Sequence, residues 1–217
     1  MQIFEYQPPA VPWLDIRYQD QDIIIINKPS GLLSNPGRAA HTFDSAISRL
    51  TQIFTDAILV HRLDCDTSGI MVFARNKQAE SKLKTQFQDK LAKKQYIAEI
   101  EGHLIKKQGQ INLPLMADKN NPPYQKVSNQ GKKAITDYQI LSEKNGHSLI
   151  KLMPETGRTH QLRVHMLALG HAILGDVFYG SETVKDARSR LSLHAQKLTI
   201  THPSSDKKMT FYSKHPF

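Results

Sequence analysis

Runs of apolar residues bounded by turn residues predict a chain built mainly from strands. The clearest run lies at residues 22–27, DIIIIN, and the segment after it, 28–37, has the Pro, Gly and Ser content of a loop. Short apolar runs with such boundaries are typical of buried strands. The same pattern predicts further strands at residues 57–60, 70–74, 94–101, 109–115, 133–141, 147–153, 191–201 and 208–212, the last two as a hairpin.

Three segments have the features of a helix. Residues 77–91 repeat an apolar side chain every four positions, while lysines and glutamines fill the other faces. A shorter helix is predicted at 44–54, with Asp44 as its N-cap. Residues 155–170 open with a Thr-Gly turn and continue as a helix with one apolar face, which we expect to end at Gly170.

The order of these elements indicates an α+β fold. Successive strands without intervening helices favour antiparallel meanders over a doubly wound parallel sheet. We expect one domain over residues 1–217, with an N-terminal arm at 1–12 and a basic, polar loop at 118–132 that could face a polyanion.

Charge and cysteine content narrow the function. Lys and Arg outnumber Asp and Glu by 29 to 20, which gives a net charge of +9 and favours a polyanionic partner such as RNA, although a merely basic surface is common. One cysteine, Cys65, excludes an internal disulfide and indicates a reducing compartment. No apolar run approaches the roughly 20 residues of a membrane helix. We therefore expect a cytoplasmic monomer that does not bind membranes.

The richest collection of reactive side chains is HRLDCDTSG at residues 61–69, between two predicted strands. Asp64 has two interpretations, and the residues alone support both equally. It is either a carboxylate held ionised by a nearby arginine for catalysis, or a structural residue that braces the turn by accepting backbone N–H bonds. Cys65 is interpreted as a packing residue, because nothing nearby supplies a base and an oxyanion site.

Other enzyme classes lack their motifs in this chain. No P-loop, dinucleotide fingerprint or nucleophile elbow is present. Two sets of residues resemble metal ligands, but neither favours a metal site. His61, Asp64 and Asp66 are too few ligands without distant help, and His160 and His165, five positions apart on a helix, point away from each other. The residues therefore disfavour a metal site.

Four motifs together resemble the RluA family of pseudouridine synthases. They are NKPSG at 27–31, HRLDCDTSG at 61–69, KKQY at 93–96 and TGRTHQLRVHM at 156–166. The resemblance covers nearly the whole chain and places the motifs in the family's order. It implies a pseudouridine synthase fold, with a largely antiparallel mixed sheet, flanking helices and a central RNA-binding cleft. Because the chain begins directly with a short arm, we expect it to lack the extra N-terminal S4-type RNA-binding domain of many members of the family.

The resemblance also assigns an activity and site residues. The family isomerises uridine to pseudouridine in structured RNA without a cofactor, and this chain is expected to act on a tRNA anticodon stem-loop and a 23S rRNA loop. Asp64 resembles the catalytic aspartate, Arg163 the arginine that pairs with it, Tyr96 the tyrosine that packs on the target base, and Arg62 the residue that fills the gap left by that base. Further contacts to RNA are expected from Lys28, His61, Arg158 and His160.

Overall fold

The computed structural model describes residues 6–217. The helices are α1 (Ala46–Leu50), α2 (Lys77–Gln88), α3 (Gln161–Ala168) and α4 (Glu182–Asp186), with a 3₁₀ turn at Ala40–Thr42. The strands are β1 (Ile16–Gln19), β2 (Ile23–Lys28), β3 (Ile58–Leu59), β4 (Ser68–Ala74), β5 (Lys93–Glu101), β6 (Gln108–Asn112), β7 (Leu115–Ala117), β8 (Gln125–Val127), β9 (Ile135–Lys144), β10 (His147–Pro154), β11 (Leu193–Thr201) and β12 (Lys208–Tyr212). The predicted α+β class is confirmed.

The chain divides into two compact units. Unit 1 comprises the described residues up to Ala92 together with 195–214, and unit 2 comprises 93–194 with 215–217. The expectation of a single folding domain stays a prediction, which one cooperative unfolding transition would test.

Unit 1 is a sheet with the strand order β1-β2-β4-β11, to which β3 adds beside β4 and β12 beside β11. The four isoleucines Ile23 to Ile26 are completely buried, as expected for a continuous apolar strand covered on both faces. Helix α2 places Ala79 and Leu83 in the core beside Val72 of β4. The helix begins where Asn76 Oδ1 accepts a hydrogen bond from the Ala79 N–H, at 2.8 Å.

Unit 2 contains an antiparallel sheet with the order β5-β10-β9-β6, and β7 and β8 form a separate small hairpin sheet. Helix α3 packs Leu162 and Met166 against Ile150 and Leu152 of β10. Leu169 lies against the same cluster, so the apolar face predicted for this helix is confirmed.

Several predicted boundaries were wrong for identifiable reasons. Helix α1 is capped by Ser45, whose Oγ accepts from the Ser48 N–H, while Asp44 instead pairs with Arg49 at 2.7 Å. Helix α3 begins only at Gln161, after a turn held by side chains. The strand predicted at 109–115 is two strands, because β6 pairs with β9 and β7 pairs with β8.

Some elements were not predicted at all. Strands β1 and β8 and helix α4 are short, and β8 lies inside the segment 118–132 that was predicted as a loop. The first five residues of the predicted arm lie outside the described residues. Farther along the arm, the Tyr6 hydroxyl donates to the Asp44 carbonyl oxygen at 2.7 Å and accepts from the Leu33 N–H at 3.0 Å. Among the described residues, no helix has the length and apolarity needed to cross a membrane.

Candidate active site

The loop 61–69, which connects β3 to β4 and includes the first two residues of β4, is held by a buried lysine at the end of β2. The Lys28 ammonium donates to the carbonyl oxygens of Pro29 at 2.9 Å, Leu32 at 2.5 Å and Cys65 at 2.8 Å. Three carbonyl dipoles thus surround one cation, which offsets part of the cost of burying its charge. The NKPSG motif and the HRLDCDTSG motif are joined at this point.

Two serines also hold the backbone on either side of Asp64, and we call their hydrogen bonds together with those of Lys28 the clamp. Ser34 Oγ donates to the Leu63 carbonyl oxygen at 2.6 Å and accepts from the Leu63 N–H at 3.0 Å. Ser30 Oγ donates to the Asp66 carbonyl oxygen at 2.6 Å. The backbone is therefore fixed both before and after Asp64, which orients this residue without using its carboxylate.

The clamp changes the role of Lys28. The side chain is completely buried. The predicted direct contact with RNA is corrected, because a buried ammonium has no surface to offer a ligand. The contacts instead indicate that Lys28 supports the neighbouring segment 61–69 from the inside.

The Asp64 carboxylate does not brace its own turn. The only hydrogen bond from the loop to Asp64 reaches its main-chain oxygen, from the Thr67 N–H at 3.2 Å. Within unit 1, the described residues donate no hydrogen bond to the side chain, which is partly exposed. The structural interpretation of Asp64 therefore fails, and the carboxylate is presented on a fixed backbone. Arg62, two residues earlier, is exposed.

His61 and Gly69 fix the two ends of the loop. His61 Nε2 accepts from the Val72 N–H at 3.1 Å, and the ring stacks on Phe87 with centroids 4.5 Å apart. Its predicted contact with RNA stays a prediction. Gly69 has a φ of +121°, and a side chain there would place Cβ 2.3 Å from the Ala195 carbonyl oxygen. Only glycine fits this position.

Tyr96 belongs to unit 2 and lies near the start of β5, opposite Leu152 of β10. It is partly exposed and packs against the core of this unit. The predicted strand therefore holds one edge of the ring in apolar surroundings while leaving part of its surface accessible. An aromatic ring placed in this way can stack on an extruded base.

Arg163 forms a buried, bidentate ion pair with a residue that the sequence analysis missed. Its Nε and Nη2 donate to Asp176 Oδ2 and Oδ1 at 2.8 and 2.5 Å. The guanidinium also lies over the rings of Phe178 and Tyr179, 4.9 and 5.3 Å from their centroids. The Gly-Asp pair at 175–176 is a sequence signal for a turn, but not for this partner. The ion pair of Arg163 with Asp64 stays a prediction.

The turn before α3 is held by Thr156 and Gln161. Thr156 Oγ1 donates to Gln161 Oε1 at 2.7 Å, and the Arg158 N–H donates to the same oxygen at 3.0 Å. Gln161 Nε2 in turn donates to the Ile135 carbonyl oxygen at 3.0 Å. These side-chain hydrogen bonds pair the buried polar groups of the turn without helical hydrogen bonds. The chain therefore stays irregular up to Gln161.

The two other predicted RNA contacts lie on this turn. His160 has a left-handed backbone, and its Nδ1 is 2.7 Å from the Tyr179 hydroxyl, which accepts from the Gln125 N–H at 2.9 Å. Arg158 is exposed, and its Nε donates to the Lys133 carbonyl oxygen at 3.1 Å. Arg158 is therefore anchored at one nitrogen and exposed, whereas His160 is buried.

The described residues contain a different group of possible metal ligands from those considered in the sequence. It consists of Asp20, Asp22 and His202 in unit 1. His202 Nδ1 accepts from the Ser205 N–H at 3.1 Å, and its Nε2 lies 2.9 Å from Asp20 Oδ2. The imidazole therefore donates Nε2–H to the carboxylate and ties two turns together.

A comparison with protein families decides the identity of the chain. Residues 22–168 match the model described as RNA pseudouridylate synthase. The chain belongs to the RNA pseudouridylate synthase family. It is therefore an isomerase that acts on RNA, and the resemblance seen in the four motifs is confirmed.

Individual members of the RNA pseudouridylate synthase family are similar over the full chain. The dual-specificity RNA pseudouridine synthase RluA of Haemophilus influenzae is 48% identical over 100% of both chains. The protein of the same name from Escherichia coli K12 is 49% identical over 98% of both. Among solved structures, human RNA pseudouridylate synthase domain containing 1 matches with a TM-score of 0.80 and 28% identity, over 97% of this chain and 87% of that one. The predicted pseudouridine synthase fold is thereby confirmed.

Proposed function

We propose that Asp64 initiates the isomerisation of uridine in structured RNA. The observation that carries this proposal is the Asp64 carboxylate, which stands on a backbone clamped at Leu63, Cys65 and Asp66 and has no bracing role in its loop. The bond between ribose C1′ and uracil N1 must break, and C1′ must bond to C5. Asp64 either attacks covalently or removes the C2′ proton to give a glycal, and both routes need an ionised carboxylate.

Two further residues act on the RNA before the chemistry. A base in a stacked loop has to be extruded, at a cost of a few kcal/mol. The exposed guanidinium of Arg62 fills the space left by the base, because its plane can stack as a base does. Tyr96 packs on the extruded uracil and is one candidate for the base that takes the C5 proton. Arg163 keeps Asp64 ionised and oriented.

The substrates we propose are a uridine in a tRNA anticodon stem-loop and one in a 23S rRNA loop. The support is the name dual-specificity RNA pseudouridine synthase that the H. influenzae and E. coli relatives carry. Mapping pseudouridines in total RNA from cells with and without the gene tests this directly. Loss of one site in each RNA class is expected, and loss in one class alone would contradict the dual target.

We also propose that the protein works as a monomer on cytoplasmic RNA. Cys65 forms no disulfide, which agrees with a reducing compartment. Sedimentation equilibrium should give a mass near 24.6 kDa. A mass twice as large at micromolar concentration would contradict the monomer.

The test of the catalytic proposal is the variant Asp64→Asn. It should abolish tritium release from RNA labelled at uracil C5, while RNA binding persists. Asp66→Asn is the matched control, because the clamp uses the carbonyl oxygen of Asp66 and not its carboxylate. Unchanged release by Asp64→Asn, or equal loss in both variants, would contradict the proposal.

A further inference from the structure

Lys94 is a partly buried cation without an acidic partner among the described residues. Its Nζ donates to the Thr156 carbonyl oxygen at 3.2 Å, and no described carboxylate lies within ion-pair distance. Burial, followed by the charge of Lys93, lowers the pKa of Lys94 to about 8. An ammonium in such surroundings has lost hydration that one carbonyl oxygen replaces only in part. A bound anion would compensate the charge of the ammonium and replace part of its lost hydration.

The surface beside this ammonium is open. Gly157 is exposed, and a Cβ added to it would meet only Lys94 Nζ, at 3.9 Å. Within unit 2, the Gly157 N–H donates no hydrogen bond. The next residue, Arg158, carries an exposed guanidinium tied at its Nε to the Lys133 carbonyl oxygen. A cation, an available N–H group and a second cation therefore occur together where no side chain blocks the approach.

We infer that Lys94, the Gly157 N–H and Arg158 form a binding site for a phosphate of the substrate RNA. Main-chain N–H groups next to Lys and Arg side chains are the usual partners of nucleic-acid phosphates. This inference rests on the proposed function, because it takes the ligand to be the RNA that is isomerised.

The position of Lys94 relative to Tyr96 specifies which phosphate is bound. The two residues are two positions apart on β5, so their side chains leave the same face of the strand, roughly 7 Å apart. If Tyr96 packs on the extruded uracil, the phosphate on Lys94 belongs to one of the two linkages that flank that nucleotide. The site then positions the extruded nucleotide, and Lys94 is a positioning residue.

Replacing single phosphates in the RNA tests the site. A tRNA anticodon stem-loop is synthesised with a neutral methylphosphonate at one of the two linkages that flank the target uridine. The dissociation constant and the rate of tritium release are measured for the wild type, Lys94→Met and the control Lys106→Met, which removes an exposed lysine. At one linkage, the neutral group should weaken wild-type binding about ten- to a hundredfold.

The decisive result is non-additivity. Lys94→Met should lose affinity for unmodified RNA, and the methylphosphonate should then cost this variant clearly less affinity than it costs the wild type, because only Arg158 and the Gly157 N–H still contact the phosphate. In Lys106→Met the two losses should multiply. The phosphate site would be overturned if, at both linkages, the affinity losses from Lys94→Met and from the methylphosphonate multiplied. It would also be overturned if neither methylphosphonate weakened binding to the wild type.

Two measurements distinguish a phosphate site from a purely structural role of Lys94 and from a failure of the proposed function. Lys94→Arg keeps the charge and should retain most of the methylphosphonate effect, whereas a purely structural role of Lys94 would give no dependence on the linkage. Binding is measured independently of turnover. An RNA that binds with this pattern but releases no tritium would refute the proposed function and leave the phosphate site supported.

Discussion

The Lys28 ammonium lies 2.8 Å from the Cys65 carbonyl oxygen, although 37 positions separate the two residues in the chain. This hydrogen bond explains why a lysine at the end of a buried strand matters to a loop that it does not belong to. The carbonyl oxygens of residues 63, 65 and 66 all accept hydrogen bonds from side chains at the end of β2 or in the loop that follows it. The side chain of Asp64 is thereby placed by its neighbours' backbone.

The variant Lys28→Met should damage the site without removing a contact to RNA. Three buried carbonyl oxygens lose their donor, which should lower the free energy of unfolding by about 3 kcal/mol and turnover by at least roughly tenfold. The measurements are urea unfolding and tritium release. The slope of log Kd against log salt should equal that of the wild type, since a lost phosphate contact would reduce it by about one. A reduced slope would show that Lys28 contacts RNA after all.

The variant Arg62→Ala should harm turnover on folded RNA far more than on an unstacked substrate. A guanidinium that replaces the extruded base offsets an unstacking cost that only the folded stem-loop has. We expect the ratio of the two kcat/KM losses to be about ten or more. Arg62→Lys should not restore the ratio, because an ammonium has no plane to stack. Equal losses on both substrates would contradict the stacking role.

The sequence predicted the elements whose burial is continuous. The isoleucines of β2 and the four-residue spacing of apolar side chains in α2 could be recognised from the local sequence alone. The cap of α1 was misassigned because Asp44 and Ser45 are both good N-caps, and the choice depends on Arg49, which takes the Asp44 carboxylate. Tertiary contacts of this kind are absent from any local signal.

The same limit applies to the site. HRLDCDTSG and the other motifs identified Asp64, Tyr96 and Arg163 by resemblance. They did not show that Lys28 is buried or that Asp176 is the carboxylate paired with Arg163 in unit 2. Lys28 ends a strand and Asp176 lies in a turn, and in both places a charged residue can have many roles. Only the folded backbone shows which carbonyl oxygen or guanidinium they meet.

The variant Asp176→Asn should strongly destabilise the protein. Both members of the pair are buried, with 1% of the Arg163 side chain exposed and none of Asp176. Asparagine can still accept from the Phe178 and Tyr179 N–H groups, but it removes the buried negative charge that pairs with Nε and Nη2 of Arg163. Such a change costs about 3–5 kcal/mol, measured by urea unfolding. Asp186→Asn, at an exposed position, should change stability little.

A double-mutant cycle separates the ion pair from other effects of the substitution. The variant Arg163→Met combined with Asp176→Asn should be less destabilised than the sum of the two single variants, because neither charge is then buried alone. Additive losses would show that the two side chains do not stabilise each other.

The stability of the wild type relative to Lys94→Met should rise with pH above about 8. Burial lowers the Lys94 pKa from 10.5 to about 8. Below pH 8 the lysine is protonated in both the folded and the unfolded chain, so the difference between the two proteins is constant. Between pH 8 and 10.5 the unfolded chain binds more protons, and raising the pH therefore stabilises the fold, by about 3 kcal/mol at most. Urea unfolding from pH 7 to 10 measures the difference.

RNA binding should change with pH in the opposite direction. An ammonium that holds a phosphate must keep its proton, so wild-type affinity should fall as the pH rises above 8, and Lys94→Met should lack this part of the decrease. Lys106→Met controls for other titrations, and its stability and binding curves should run parallel to those of the wild type. If the stability and binding curves of Lys94→Met both ran parallel to those of the wild type, they would contradict a partly buried Lys94 that binds phosphate. Opposite slopes for stability and binding would place the same ammonium in both processes.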